Sequence, residues 1–130
     1  MRVLQPEGWV RPSGYSNGVA AQGRLVFVSG MIGCDGRGRL VTTDLCGQVR
    51  QILLNITKVL AEAGAKPEHI VRMNWFVLSK REYIGERKRI GEVYREILGG
   101  HYPAMTAVEV SCLVEDGALV EIEATAVVPE

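Results

Sequence analysis

Near the end of the chain, Ala118-Leu119-Val120-Glu121-Ile122-Glu123-Ala124-Thr125-Ala126-Val127-Val128 reads as a strand with two different faces. Side chains alternate across a strand, so Val120, Ile122, Ala124, Ala126 and Val128 point one way. Leu119, Glu121, Glu123, Thr125 and Val127 point the other. The first set is uniformly apolar and asks for a covering layer. The second is mixed, neither fully polar nor fully apolar.

Working outward, the turn Glu115-Asp116-Gly117 joins this strand to an expected strand over Ala104 to Val114. Ile70 to Leu78, rich in Val, Trp and Phe, is another strand. Arg24 to Ser29 is a further one, and Val19-Ala20-Ala21 with the Gln22-Gly23 turn is expected to be its hairpin partner. Gly33, Gly36 and Gly38 mark a loop, and Arg39-Leu40-Val41 forms a short strand. Thr43 or Asp44 caps a helix running to about Ala63, whose apolar residues Leu45, Val49, Ile52, Leu53, Ile56, Val59 and Leu60 recur at three- and four-residue spacing. Gly64 supplies the left-handed stop. Glu82 to Leu98 repeats the helical spacing. The order predicts a single α+β domain over residues 1–130, a mixed sheet with two helices on one face. Trp75, Val77 and Val108 add apolar residues to both faces of neighbouring strands, and two helices cannot cover both. A partly apolar, uncovered face predicts self-association, with carboxylates at its margins.

The 15 basic and 15 acidic residues cancel, so nothing in the charge steers the chain to nucleic acid or an anionic membrane. No apolar run approaches the ~18 residues of a membrane span, and the N-terminus has no signal-peptide core. Cys34, Cys46 and Cys112 follow neither a disulfide framework nor a CxxC metal spacing. Reduced thiols in a cytoplasmic protein are expected.

Glu121 and Glu123 project from one face. A carboxylate at the margin of an apolar assembly surface loses hydration, which suits proton transfer; both residues fit a solvated or salt-bridged surface equally well. Tyr15 lies in a Gly-flanked loop, suited to meeting a ligand or to packing. Ser29-Gly30 ends a strand, and the glycine permits close backbone approach. No paired histidine supports a serine nucleophile, and His69 and His101 read as structural or surface residues. Gly33-Cys34-Asp35-Gly36-Arg37-Gly38 lacks the lysine and spacing of a phosphate-binding loop.

Gly14-Tyr15-Ser16-Asn17-Gly18-Val19, Phe27-Val28-Ser29-Gly30, His101-Tyr102-Pro103-Ala104-Met105-Thr106-Ala107-Val108-Glu109-Val110 and Val120-Glu121-Ile122-Glu123-Ala124 together resemble the RidA/YjgF family of reactive imine/enamine deaminases, also labelled endoribonuclease L-PSP. The resemblance runs in order over nearly the whole chain. It implies a chorismate-mutase-like α+β fold, a homotrimer, and clefts between subunits that bind small carboxylated molecules. Active members hydrolyse imines or enamines to a keto acid and ammonia with no metal or organic cofactor. Carried over by position, Glu121 matches the acid that activates or positions water. Tyr15, Ser29, Gly30, Gly91, Ala104, Met105 and Ala107 match the substrate pocket. Four positions depart from the pattern. Met105 stands where an arginine pairs with the substrate carboxylate, Ala107 where some members have cysteine, Gly91 where asparagine is common, and Met31 where glutamine usually follows Ser29-Gly30.

Losing a bidentate guanidinium contact removes on the order of 1.5–3 kcal/mol. Methionine makes the pocket apolar and adaptable instead. This predicts a larger, aromatic or extended substrate, such as a 2-aminomuconate-like acid, or an anion held by another residue, with Arg11 and Arg72 as candidates. Three readings follow: a divergent deaminase with Glu121 as general acid/base, a trimeric module that binds a small metabolite without turnover, and an RNA-directed protein. The balanced charge and lack of a basic stripe argue against the last.

Overall fold

The computed structural model describes all 130 residues. Six strands and three helices follow one another as β1 (Arg2–Leu4), β2 (Gly18–Ala20), β3 (Arg24–Met31), α1 (Leu45–Glu62), β4 (Ile70–Val77), α2 (Lys80–Gly85), α3 (Arg87–Leu98), β5 (Ala104–Glu109) and β6 (Val120–Val128). The main sheet has the order β3-β6-β4-β5, antiparallel except for the parallel β4–β5 pair. α1 lies over β3 and β6, and α3 packs alongside α1.

The α1 boundaries follow from local chemistry. The Asp44 carboxylate accepts from the Gly47 N–H at 2.8 Å, satisfying one of the free donors of the first turn. Gly64 ends the helix with φ 69°. One stripe, Val49, Ile52, Leu53, Ile56 and Leu60, is wholly buried against Val120, Ile122, Ala126, Met73 and Trp75 of the sheet. The alternation in β6 is realised as read: Val120, Ile122, Ala124 and Ala126 are buried, while Glu121, Glu123 and Thr125 are only half-buried on the face without helices. Leu25 and Phe27 of β3 and Val108 of β5 are exposed, Phe27 to 72%. The uncovered, partly apolar sheet face is therefore real in the single chain.

Four local expectations are corrected. β2 pairs with β1, not with β3, because the left-handed Gly23 packs its backbone against Val128 at the end of β6 rather than closing a two-residue hairpin. β5 stops at Glu109, and β4 lies between β5 and β6, so the last two strands are not a hairpin. The β4 backbone satisfies both neighbours, a long-range pairing invisible to local patterning. Glu82 to Leu98 is two helices: the chain turns at Glu86 (φ −99°, ψ 7°), and Ser79 caps the short α2 through the Glu82 N–H at 3.0 Å. Finally, Arg39–Val41 contributes one isolated bridge, Cys34 to Leu40, rather than a strand.

Candidate active site

Two clefts flank the sheet: Ser29 lines one, Tyr15, Gly91, Met105 and Ala107 line the other, and Gly30, Ala104 and Glu121 line neither. In β3, Val28 pairs with Ala124 and Met31 with Ile122. Ser29 and Gly30 thus oppose the single residue Glu123, which is a β-bulge. Bulges re-aim side chains and recur beside active sites. Any Cβ at Gly30 would collide with the Glu121 carboxylate, so the glycine is what lets that carboxylate settle onto the strand backbone. Beside it, Glu123 accepts from the Asn74 side-chain amide at 2.9 Å. Ser29, Arg72, Asn74, Glu123 and Phe27 line a shallow cleft on the helix-free face. Arg72 extends there and donates to the Thr106 hydroxyl at 3.2 Å.

The second cleft is larger, about 1030 Å³, and opens between β5 and α3. Met105 and Ala107 of β5, Gly91 of α3 and Tyr15 line it. Met105 pairs with Met73 in the sheet and turns to the helix-covered side, where it packs against the core. The Tyr15 loop is held by Ser16, whose N–H donates to the Pro103 carbonyl at 3.0 Å and whose hydroxyl donates to that of Tyr102. These bonds place Tyr15 at the open edge of β5. Ala104 bridges to Ser16 and pairs with Arg72, and it lines neither cleft.

Glu121 and Met105 therefore sit on opposite faces of one sheet, and a single chain does not bring them together. Arg72 belongs to the Glu123 side, and Arg11 lines neither cleft; neither supplies charge beside Met105. His101 Nε2 bonds the Ile70 carbonyl at 2.6 Å, and His69 Nδ1 accepts from the Lys66 N–H at 3.0 Å, so both histidines have structural roles. No group of three or more His, Cys, Asp or Glu is placed to hold a metal ion.

Sequence reading missed the walls of the large cleft. Trp75, Tyr83, Tyr94 and Tyr102 form an aromatic wall, with Arg87, Lys88 and Arg95 at its rim. Tyr94 stacks on Tyr102 (centroids 5.4 Å apart, 10° between planes) and donates to the His101 carbonyl at 2.7 Å. Burial, with the neighbouring Tyr102 hydroxyl adding to it, drives the Tyr94 phenol far above its ordinary range. Tyr83 stands edge-on to Trp75 (6.2 Å, 61°), and burial raises its phenol while Arg87 pulls it back. The Trp75 indole N–H is the one buried side-chain polar atom without a partner. A legible signal existed: Arg87, Gly91 and Arg95 fall at four-residue spacing, on one face of a helix.

A bulge that presents a serine and a glycine beside a carboxylate thus sits on the open face of the sheet of an α+β domain. The endoribonuclease L-PSP family model matches residues 10–128, and the chain belongs to that family. A RutC family protein of Pyrococcus horikoshii is 35% identical over 95% of both chains. The human 2-iminobutanoate/2-iminopropanoate deaminase is 29% identical, covering 87% of this chain and 79% of that protein. Among solved structures, a Rid family protein of unknown function from Yersinia pestis superposes with TM-score 0.86 at 32% identity over 98% of each chain. E. coli TdcF with bound serine gives 0.68 at 29% identity, again over 98% of each. No helix is long and apolar enough to cross a membrane.

Proposed function

We propose that the chain is an imine or enamine deaminase whose clefts are completed between the subunits of a homotrimer. The observation that carries this reading is the Glu121 carboxylate seated on Gly30 within the Ser29–Gly30 bulge. That arrangement offers a proton acceptor beside exposed backbone and a hydroxyl, on a face that a second subunit can cover. The exposed Leu25 and Phe27 beside it support assembly through that face. Docking it against the β5 edge of a neighbour would bring the bulge to the aromatic cleft. The printed activity of the human relative supports the reaction class.

In the reaction, water adds to the C=N carbon while Glu121 takes one of its protons. Glu121 returns that proton to nitrogen, giving the carbinolamine; it then takes the carbinolamine hydroxyl proton and passes it to nitrogen, so that the C–N bond breaks, the C=O bond forms and ammonia leaves. Ser29 and Tyr15 orient the substrate. Positioned proton transfer of this kind contributes typically 10²–10⁴-fold.

Ammonia release is followed from 2-imino acids generated in place by an amino-acid oxidase. Glu121→Ala should lower the catalysed rate by at least a hundredfold, and an unchanged rate refutes the role. Met105 favours a second reading, a trimer that binds a metabolite without turnover, because an apolar side chain there removes the family's carboxylate contact. Under that reading the native chain is inactive on every imine tested, and Met105→Arg gains activity on small 2-imino acids.

A further inference from the structure

The large cleft has a composition that Met105 alone does not explain. Its rim carries Arg87, Lys88 and Arg95, and no aspartate or glutamate lines it. The ion pairs of the chain are Arg50–Glu96, Arg89–Asp44 and Arg89–Glu86, so none of the three rim cations is neutralised. Beneath them lies the wall of Trp75, Tyr83, Tyr94 and Tyr102. At about 1030 Å³ the cleft reaches the upper end of small-molecule sites, and a pyruvate-sized acid would leave most of it to water.

Gly91 explains how charge reaches this wall. A glycine inside a helix costs about 1 kcal/mol relative to alanine, and α3 carries one in its middle. The atom closest to a Cβ built there is Arg95 Nη1, at 3.4 Å, and nothing else comes within 4 Å. The guanidinium therefore lies back over the bare turn, one helical turn from its own backbone, on the cleft side. A planar fork so placed suits a carboxylate.

We infer that Arg95 holds the anionic end of the ligand in place of residue 105, and that the cleft takes a 2-imino or 2-oxo acid with an aryl side chain rather than a small aliphatic one. The aryl group stacks in the Tyr94–Tyr102 wall and lies over Met105, whose thioether accepts an aromatic edge. The inference rests on the proposed deaminase reading only for the imine itself; the charge and shape argument concerns binding.

The test is therefore calorimetric titration of the assembled protein, which needs no turnover. Phenylpyruvate, the stable 2-oxo counterpart of an aryl imino acid, is compared with pyruvate, which lacks the ring, and phenylacetone, which lacks the carboxylate. Phenylpyruvate should bind at least tenfold more tightly than either. Arg95→Met should weaken it at least tenfold while leaving phenylacetone unchanged. Gly91→Asn, whose side chain occupies the guanidinium's place, should weaken it likewise. Equal affinities for phenylpyruvate and pyruvate, no binding of either, or an Arg95→Met protein that binds as the native one does, each overturn the inference. Selective phenylpyruvate binding in a protein that deaminates no imine would instead refute the proposed function and leave the ligand assignment standing.

Discussion

Gln48 is wholly buried in the first turn of α1, on its otherwise apolar face, and replacing it with methionine tests how the carboxylate strand is held. Its side-chain amide donates to the Thr42 and Gly117 carbonyls, both at 3.0 Å, and its oxygen accepts from the Leu119 N–H at 2.8 Å. It thus ties α1 to the loop before the helix and to the entry of β6, two residues ahead of Glu121. Gly33 packs flat against its stem, with room for no side chain. Gln48→Met conserves volume, so no cavity forms, and the loss is that of three hydrogen bonds at about 1 kcal/mol each. Gly117 is exposed and its carbonyl can turn to water, whereas the Leu119 N–H and Thr42 carbonyl are less free to do so. The net cost is about 2–4 kcal/mol. For a chain of this size the Tm should fall by roughly 6–15 °C. Urea unfolding at one fixed protein concentration measures it, since the proposed assembly would add concentration-dependent stability. A loss below about 1 kcal/mol with unchanged m-value would refute the claim that this amide clamps β6.

The bare turn at Gly91 makes a second stability prediction: Gly91→Ala, which meets only Arg95 Nη1 at 3.4 Å, should stabilise the fold by about 0.5–1 kcal/mol in the same urea assay. Phe27 is 72% exposed beside Leu25 on the helix-free face, so under the proposed assembly Phe27→Glu should shift the sedimentation equilibrium from trimer to monomer without altering the circular dichroism. Burial, the hydrogen bond donated to Glu86 and nearby carboxylates raise the Cys46 thiol from 9.0 to about 11, against the opposing pull of Arg89. A raised folded-state value favours the protonated thiol, so this contribution to stability is complete below pH 9 and is lost as pH rises from 9 to 11. Cys46→Ala should flatten that alkaline limb, as followed by thermal melts across the range. In the native protein a thiol reagent at pH 8 should label the exposed Cys112 quickly and Cys46 only on unfolding.

Much of the architecture was legible because its causes are local. Asp44 and Gly64 bound α1 by capping and handedness, and period-two alternation in β6 separated its buried from its open face. The Ser29–Gly30 pair and Glu121 could be linked through family resemblance, yet the reason they belong together is a bulge, which appears only once β3 and β6 are in register. The wall of Trp75, Tyr83, Tyr94 and Tyr102 was missed because each residue also fits an ordinary core position. Their convergence depends on α3 leaving a gap over β5. Arg87, Gly91 and Arg95 were within reach of a helical-face reading, but the unbroken helix expected over Glu82 to Leu98 concealed where that face begins.

By itself, the sequence determined the α+β class, the span of α1 from a cap at Thr43 or Asp44 to the stop at Gly64, and the fact that one sheet face carries carboxylates among apolar residues, since all of these follow from spacing along the chain. Only the tertiary structure decided that β4 separates β5 from β6. In that order Met105 faces the helices and Glu121 the open face, on opposite sides of one sheet. Strand order is set by pairings between residues far apart in sequence, whose energies depend on register and burial rather than on any local pattern.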